Sequence, residues 1–260
     1  TGADMRTGWP SIAPYGAEGE IMVCHTGNGL VYYTRTKAGE GVWNGPYYAP
    51  NLQAGTTDLI LGWPKIITTG TNNEILHIFA AALTDEGIAH LYLRSSDLQN
   101  WEYSWAPCAL HNLHIGIYDA DDYAVTTNGN DIAIVYNNWE KAHTMLYKSS
   151  DNGYSWGTEI VWENPIHLLD WTTDENTLFD QFNAPTHVSV ALDKDGYAHV
   201  ALSIGMFAHY ELGTNYSLYN GLMTDGVAYW NEASGMPLQS PDGNPWNALK
   251  LWWEDEENPG

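Results

Sequence analysis

Apolar and polar residues along this chain alternate in short runs of five to ten and never settle into helical spacing. "GWPSIAPYGAEGEIMVCH" (8–25) lies over "GWPKIITTGTNNEILHIF" (62–79) with Gly, Trp, Pro, Ile, Glu and Ile coinciding and no gap. "DYAVTTNGNDIAIVY" (122–136) and "HVSVALDKDGYAHVAL" (187–202) repeat the pattern with other turns. Each copy is an apolar strand, a Gly/Asn/Asp turn and a second apolar strand, which predicts a hairpin. A further unit follows the first three hairpins: "GLVYYTRTKAGEGVW" (29–43), "AHLYLRSSDLQNW" (89–101) and "TMLYKSSDNGYSW" (144–156). Each of these is an apolar strand, a polar turn and a Trp that opens the next strand. Trp43, Trp101 and Trp156 stand 58 and 55 residues apart. "GVAYWNEASG" (226–235) matches the third strand of a fourth copy.

Four short strands per repeat of this length predict a β-propeller blade. The expected fold is all-β: a propeller of four-stranded antiparallel blades spanning 8–54, 62–110, 118–165 and 184–255. In the last blade the connection 203–225 is long, and "ALKLWWEDE" (248–256) is the candidate for the fourth strand. Repeats this long commonly close with more than four blades, so the visible blades are expected to belong to a ring of about six, with a four-bladed ring as the alternative. Residue 1 is Thr, so the expectation is a removed leader or a segment of a longer chain.

The turn "KSSDNGYSW" (148–156) says most about class. Ser149-x-Asp151-x-Gly153-x-x-Trp156 places a hydroxyl and a short carboxylate to accept turn N–H bonds, a Gly for a left-handed backbone, and a Trp to pack beneath the turn. Ser95, Asp97 and Trp101 form a copy one residue shorter and without the Gly. Thr36 to Trp43 keeps the spacing but has Ala38 at the Asp position. The full motif resembles the Asp-box of sialidase-like (BNR-repeat) propellers. That resemblance implies a scaffold turn between third and fourth strands, on the face away from any active site, so Ser149 is no nucleophile. The wider order of motifs over 8–235 resembles secreted surface proteins of Bacteroidetes-type bacteria, and implies an extracellular or outer-surface location.

Composition narrows the partners. The net charge is −23, from 32 acids against nine Lys and Arg, which repels nucleic acid and suits a solvated extracellular surface. Thirteen Trp and 17 Tyr against four Phe favour rings with a polar handle, as at wet strand edges and binding surfaces. No apolar run is long enough to cross a membrane as a helix. Cys24 and Cys108 have no zinc or CxxC spacing and leave the disulfide state open.

Chemistry is expected at the leading ends of the first strands, where Trp9, Trp63, Tyr123 and His187 stand. Asp119, Asp121 and Asp122 cluster in "YDADDYA" (118–124), a set that can hold Ca²⁺ or shift one another's pKa; no other cofactor is implied. His111 and His114 lie nearby, and Asp170, Asp174, Glu175 and Asp180 form a second acidic loop. A sialidase would need an arginine triad, and this chain has only Arg6, Arg35 and Arg94, with "GWP" where the family's arginine motif would stand. The expected function is a non-catalytic propeller that binds glycan or a surface protein. The alternative is a glycoside hydrolase with two axial carboxylates about 5–9 Å apart.

Overall fold

The computed structural model describes residues 6–54, 57–84, 87–105, 122–138, 143–163, 181–208, 217–218, 226–234 and 238–239. The first sheet orders β1 (Gly8–Tyr15), β2 (Gly19–Thr26), β3 (Gly29–Arg35) and β4 (Asn44–Tyr48) as they follow in the chain. A short ribbon, β5 (Gln53–Ala54) with β6 (Thr57–Asp58), leads to the second sheet. That sheet is β7 (Ile60–Thr69), β8 (Ile75–Thr84), β9 (Gly87–Ser95) and β10 (Glu102–Trp105), again in sequence order. The third runs β11 (Tyr123–Asn128), β12 (Asp131–Asn138), β13 (His143–Ser149) and β14 (Gly157–Glu163). The fourth pairs β15 (Gln181–Leu192) with β16 (Ala198–Ala208), and β16 in turn with both β17 (Ser217–Leu218) and β18 (Gly226–Asn231). β19 (Leu238–Gln239) adds in parallel to the outer edge of β14. Antiparallel neighbours in chain order make the meander of a propeller blade, and the fold is an all-β propeller of such blades. β18 is the third strand that the sequence pattern assigns to the fourth blade, and the fourth-strand candidate at 248–256 lies outside the described residues.

The chain divides into two compact units. The first is Thr1–Ala120, Val125–Ile132 and Lys148–Gly157; the second is Asp121–Ala124, Ala133–Tyr147 and Thr158–Gly260. In the first unit Ile21, Val23, Leu76, Ile78, Ala80 and Leu93 are central to one core. Residues 76–82 of β8 are buried on both faces, which is why that stretch is apolar apart from His77 rather than alternating. The first strands of the first two blades are tied together. The Ile66 N–H donates to Ser11 Oγ at 3.0 Å, and Thr68 Oγ1 donates to the Pro14 carbonyl at 2.7 Å. In the second unit Val135, Leu146, Trp162, Val200, Leu202 and Trp230 form a separate core. β16 and β18 alternate there, with Val200, Leu202, Ala228 and Trp230 inward.

Each box turn also fastens its blade to the one before it. Trp156 Nε1 donates to its own Gly153 carbonyl at 3.2 Å, as a Trp packed beneath the turn should. The same indole meets Tyr92 of the preceding blade edge to face, with centroids 5.6 Å apart. Trp101 meets Tyr32 at 6.0 Å, and Tyr32 Oη donates to the Leu98 carbonyl at 3.1 Å. The Trp is therefore more than the hairpin lock that the sequence suggests: it also makes contact between blades within the first unit.

Candidate functional site

Strand register separates two ends in each sheet. In the first sheet Glu20 pairs with Arg35 near the box turn, and Gly8 pairs with His25 at the other end. Box chemistry and leading-end chemistry are thus a full strand length apart.

At the box end the residues that the motif names do what hydrogen-bonding capacity demands. Ser149 Oγ donates to Asp151 Oδ1 at 2.8 Å and accepts from the Gly153 N–H at 2.8 Å. Asp151 Oδ1 accepts from the Tyr154 and Ser155 N–H groups at 3.0 and 2.9 Å, and Oδ2 from Ser155 Oγ at 2.6 Å. Bonding of this kind, first from Ser155, holds the Asp151 pKa down at about 2. Asn152 and Gly153 take φ of 59° and 83°. In the shorter copy Ser95 and Asp97 act alike, with Asn100 supplying the bonds that Ser155 makes in the full box, and Asp97 is also held at about 2. Leu98 carries the left-handed turn there (φ 60°) and packs its side chain on the core, so the copy does without glycine. Arg94 pairs with Glu102 at 2.9 Å and stacks on Tyr154; Arg35 pairs with Glu20 and stacks on Trp43. Both arginines are thus engaged at the scaffold end.

At the leading end, both copies of "GWP" form the same β-bulge. From Gly8 to Ser11 the first strand advances three residues while its partner goes from His25 to Val23. From Gly62 to Lys65 the partner likewise goes only from Ala81 to Phe79. The extra residue throws the Trp out in a left-handed conformation, with φ of 46° at Trp9 and 47° at Trp63. For a bulky side chain this is a strained backbone, costing about 1–2 kcal/mol, and such strain persists only where the surroundings enforce it. Trp9 is 55% exposed, and its ring meets Trp63 at 6.4 Å and 69°. His25, from β2, sits edge to face with Trp9 at 5.6 Å and 80°. Two indoles from neighbouring blades and one imidazole thus stand together at this end of the first unit. Sequence reasoning found both Trp residues and missed His25, because only the register puts it opposite Gly8.

The third blade differs at the equivalent level. Counting pairs from the turn, Asp122 occupies the place of Gly8 and Asn137 that of His25; the Asn137 N–H donates to the Asp122 carbonyl at 2.9 Å. Among the described residues of β11 none is left-handed. Asp122 is 3% exposed, and Tyr123 is wholly buried, which corrects its expected place on a binding surface: its ring is core. Thr144 Oγ1 donates to Asn137 Oδ1 at 2.7 Å, and Asn137 Nδ2 is buried without a hydrogen-bond partner. The register of the fourth blade also shifts by one residue between Pro185 and His187, but without a left-handed residue there, and His187 is exposed. Asp119, Asp121, His111, His114, Cys108 and the loop carrying Asp170, Asp174, Glu175 and Asp180 lie outside the described residues. Cys24 is buried with a free thiol, and among the described residues no group of three or more His, Cys, Asp or Glu is placed to hold a metal. His199 joins Tyr229 at 2.5 Å and Asp193 at 3.4 Å, but it stands beside the β15–β16 turn, away from the leading end.

No family model and no curated relative matches the chain. Several solved structures resemble it. One is a protein of unknown function from Dyadobacter fermentans (12% identity, 84% of this chain and 65% of that one, TM-score 0.46). Others are the Hadza microbial sialidase Hz136 (13%, 85% and 48%, 0.47) and a thermostable family-43 glycoside hydrolase (15%, 85% and 74%, 0.42). The chain spans less than two thirds of the first and under half of the second. At these scores the likeness says nothing of ligand or activity. No helix among the described residues is long and apolar enough to cross a membrane.

Proposed function

We propose that the chain is a secreted, non-catalytic propeller module that binds glycan through the Trp9–Trp63 platform. One observation carries this reading: the same bulge in two blades holds a Trp in a left-handed conformation, and in the first blade leaves it 55% exposed. A side chain that gained only burial would not need that strain. Indole faces stack on the C–H faces of sugars while the rim stays wet. A net charge of −23 suits a neutral glycan better than a polyanion.

The hydrolase reading needs an acid and a second carboxylate in reach of substrate. Asp122 is sheltered from solvent, and Arg35 and Arg94 are paired at the box end, so neither group supports it. A glycan array followed by calorimetry on wild type, Trp9→Ala and Trp63→Ala tests the proposal. Loss of about tenfold or more in affinity on losing one stacked ring is expected. No hit on the array, or binding by both variants as tight as by wild type, would refute it and leave a protein partner as the reading to pursue.

A further inference from the structure

Gly8 and Gly62 have no conformational need to be glycine, since neither has a positive φ. Their reason is His25. A methyl group on Gly8 would lie 2.4 Å from His25 Nε2, and one on Gly62 would lie 3.2 Å from Nδ1. One imidazole from β2 thus uses the space left by the glycines of both "GWP" copies. The missing Cβ atoms let the nitrogen-bearing edge of the ring pack against both glycines, beside Trp9.

Neither nitrogen has a hydrogen-bond partner among the described residues; the ring's recorded contact is with Trp9. Burial pulls the His25 pKa below its ordinary value, so at neutral pH the ring offers one N–H donor and one bare acceptor. A pyranose presents an apolar face to a stacked indole, and hydroxyls around its edge that both give and take hydrogen bonds. An apolar peptide side chain has the first property and lacks the second.

Resting on the glycan reading of the platform, we infer that His25 is the hydroxyl-reading group of the Trp9 subsite. A neutral sugar ring stacks on Trp9, and one of its edge hydroxyls bonds a nitrogen of the adjacent His25. The ligand class is a neutral polysaccharide with free secondary hydroxyls.

Calorimetry of the 260-residue chain with cellohexaose, xylohexaose, mannohexaose and laminarihexaose tests this. The best binder is carried forward, alongside its O-methylated form. His25→Phe keeps a ring against Trp9 and removes both nitrogens; its affinity falls roughly 5- to 10-fold, the worth of one net hydrogen bond to ligand. His25→Gln, which retains a donor and an acceptor, recovers at least half of that loss. Gly62→Ala, with its methyl against Nδ1, weakens binding in the same direction, and the O-methylated sugar binds wild type no better than the free sugar binds His25→Phe. Thermal unfolding of each variant identifies any loss that is merely misfolding, and His25→Gln then decides. If Trp9→Ala loses binding but His25→Phe does not, or if His25→Gln recovers nothing, the inference falls and the platform stands. If wild type binds none of the four sugars, the glycan reading itself falls, and this inference with it.

Discussion

Gly153→Ala is the sharpest test of how the first unit is held together. The residue has φ of 83°, and a Cβ there would sit 2.0 Å from Tyr92 Oη and 3.0 Å from Tyr92 Cζ. Tyr92 has no easy retreat. Its hydroxyl is bonded to His77 Nδ1 at 2.7 Å, and its ring lies between Phe79 and Trp156. The left-handed backbone alone costs an alanine about 1–2 kcal/mol. Displacing Tyr92 adds about 1 kcal/mol for the His77 bond and about 1 kcal/mol for the aromatic contact. The sum is about 3–4 kcal/mol. Gly129 is the control: φ is 62°, and nothing lies within 4 Å of its absent Cβ. Gly129→Ala bears only the backbone cost, about 1–2 kcal/mol. Urea unfolding followed by tryptophan fluorescence and far-UV circular dichroism measures both, with unchanged m-values as the condition for comparing them. Tyr92→Phe removes the closest atom, so Gly153→Ala should cost about 1 kcal/mol less in that background. Equal losses for the two glycines, or strict additivity with Tyr92→Phe, would refute the claim that the box glycine is fitted to the neighbouring blade.

The strain at Trp9 predicts a reversal of the usual order: Trp9→Gly is more stable than Trp9→Ala by about 1 kcal/mol in denaturant midpoints, although Gly ordinarily weakens a strand relative to Ala. His77 and His90 are buried, and burial lowers each pKa from 6.5 to about 3. Their stabilising contribution is full above pH 6.5 and is lost as pH falls toward 3, because the unfolded chain takes up protons that the folded one refuses; about 3 kcal/mol each should disappear between pH 7 and pH 4. Denaturation midpoints of wild type and His77→Asn across that range should show the variant with a clearly shallower acid slope. Asp97 and Asp151, held at about 2 against an ordinary 3.8, add stability above pH 4 that fades only as pH drops through about 2. Asp151→Asn should lower the thermal midpoint while leaving any oligosaccharide affinity intact, since it stands a strand length away from Trp9.

The repeat shows how far the residues alone reach. Hairpin periodicity, the recurring Trp and the box residues fix four-stranded blades and the identity of the scaffold turn, because alternation, turn chemistry and glycine's backbone freedom act locally along the chain. The ungapped match of 8–25 to 62–79 does not survive its turn. Tyr15 pairs with Gly19, but Thr69 pairs with Ile75, so the longer second turn shifts every later residue by two. His25 therefore matches Ala81 in space and Phe79 only in the alignment.

That shift conceals the candidate site. Nothing local marks His25 as the partner of Gly8 and Gly62, or Tyr92 as the seat of a box from the next blade. Both are contacts between residues distant in sequence. The chain by itself determined the blade, its turns and the motif that carries Trp9 and Trp63. Only the tertiary structure decided that those rings are thrown out on strained bulges with a histidine between their glycines, and that Tyr123 is core. Strand pattern is set by each residue's own chemistry. Register, bulge and exposure are set by what the neighbouring strands and blades leave room for.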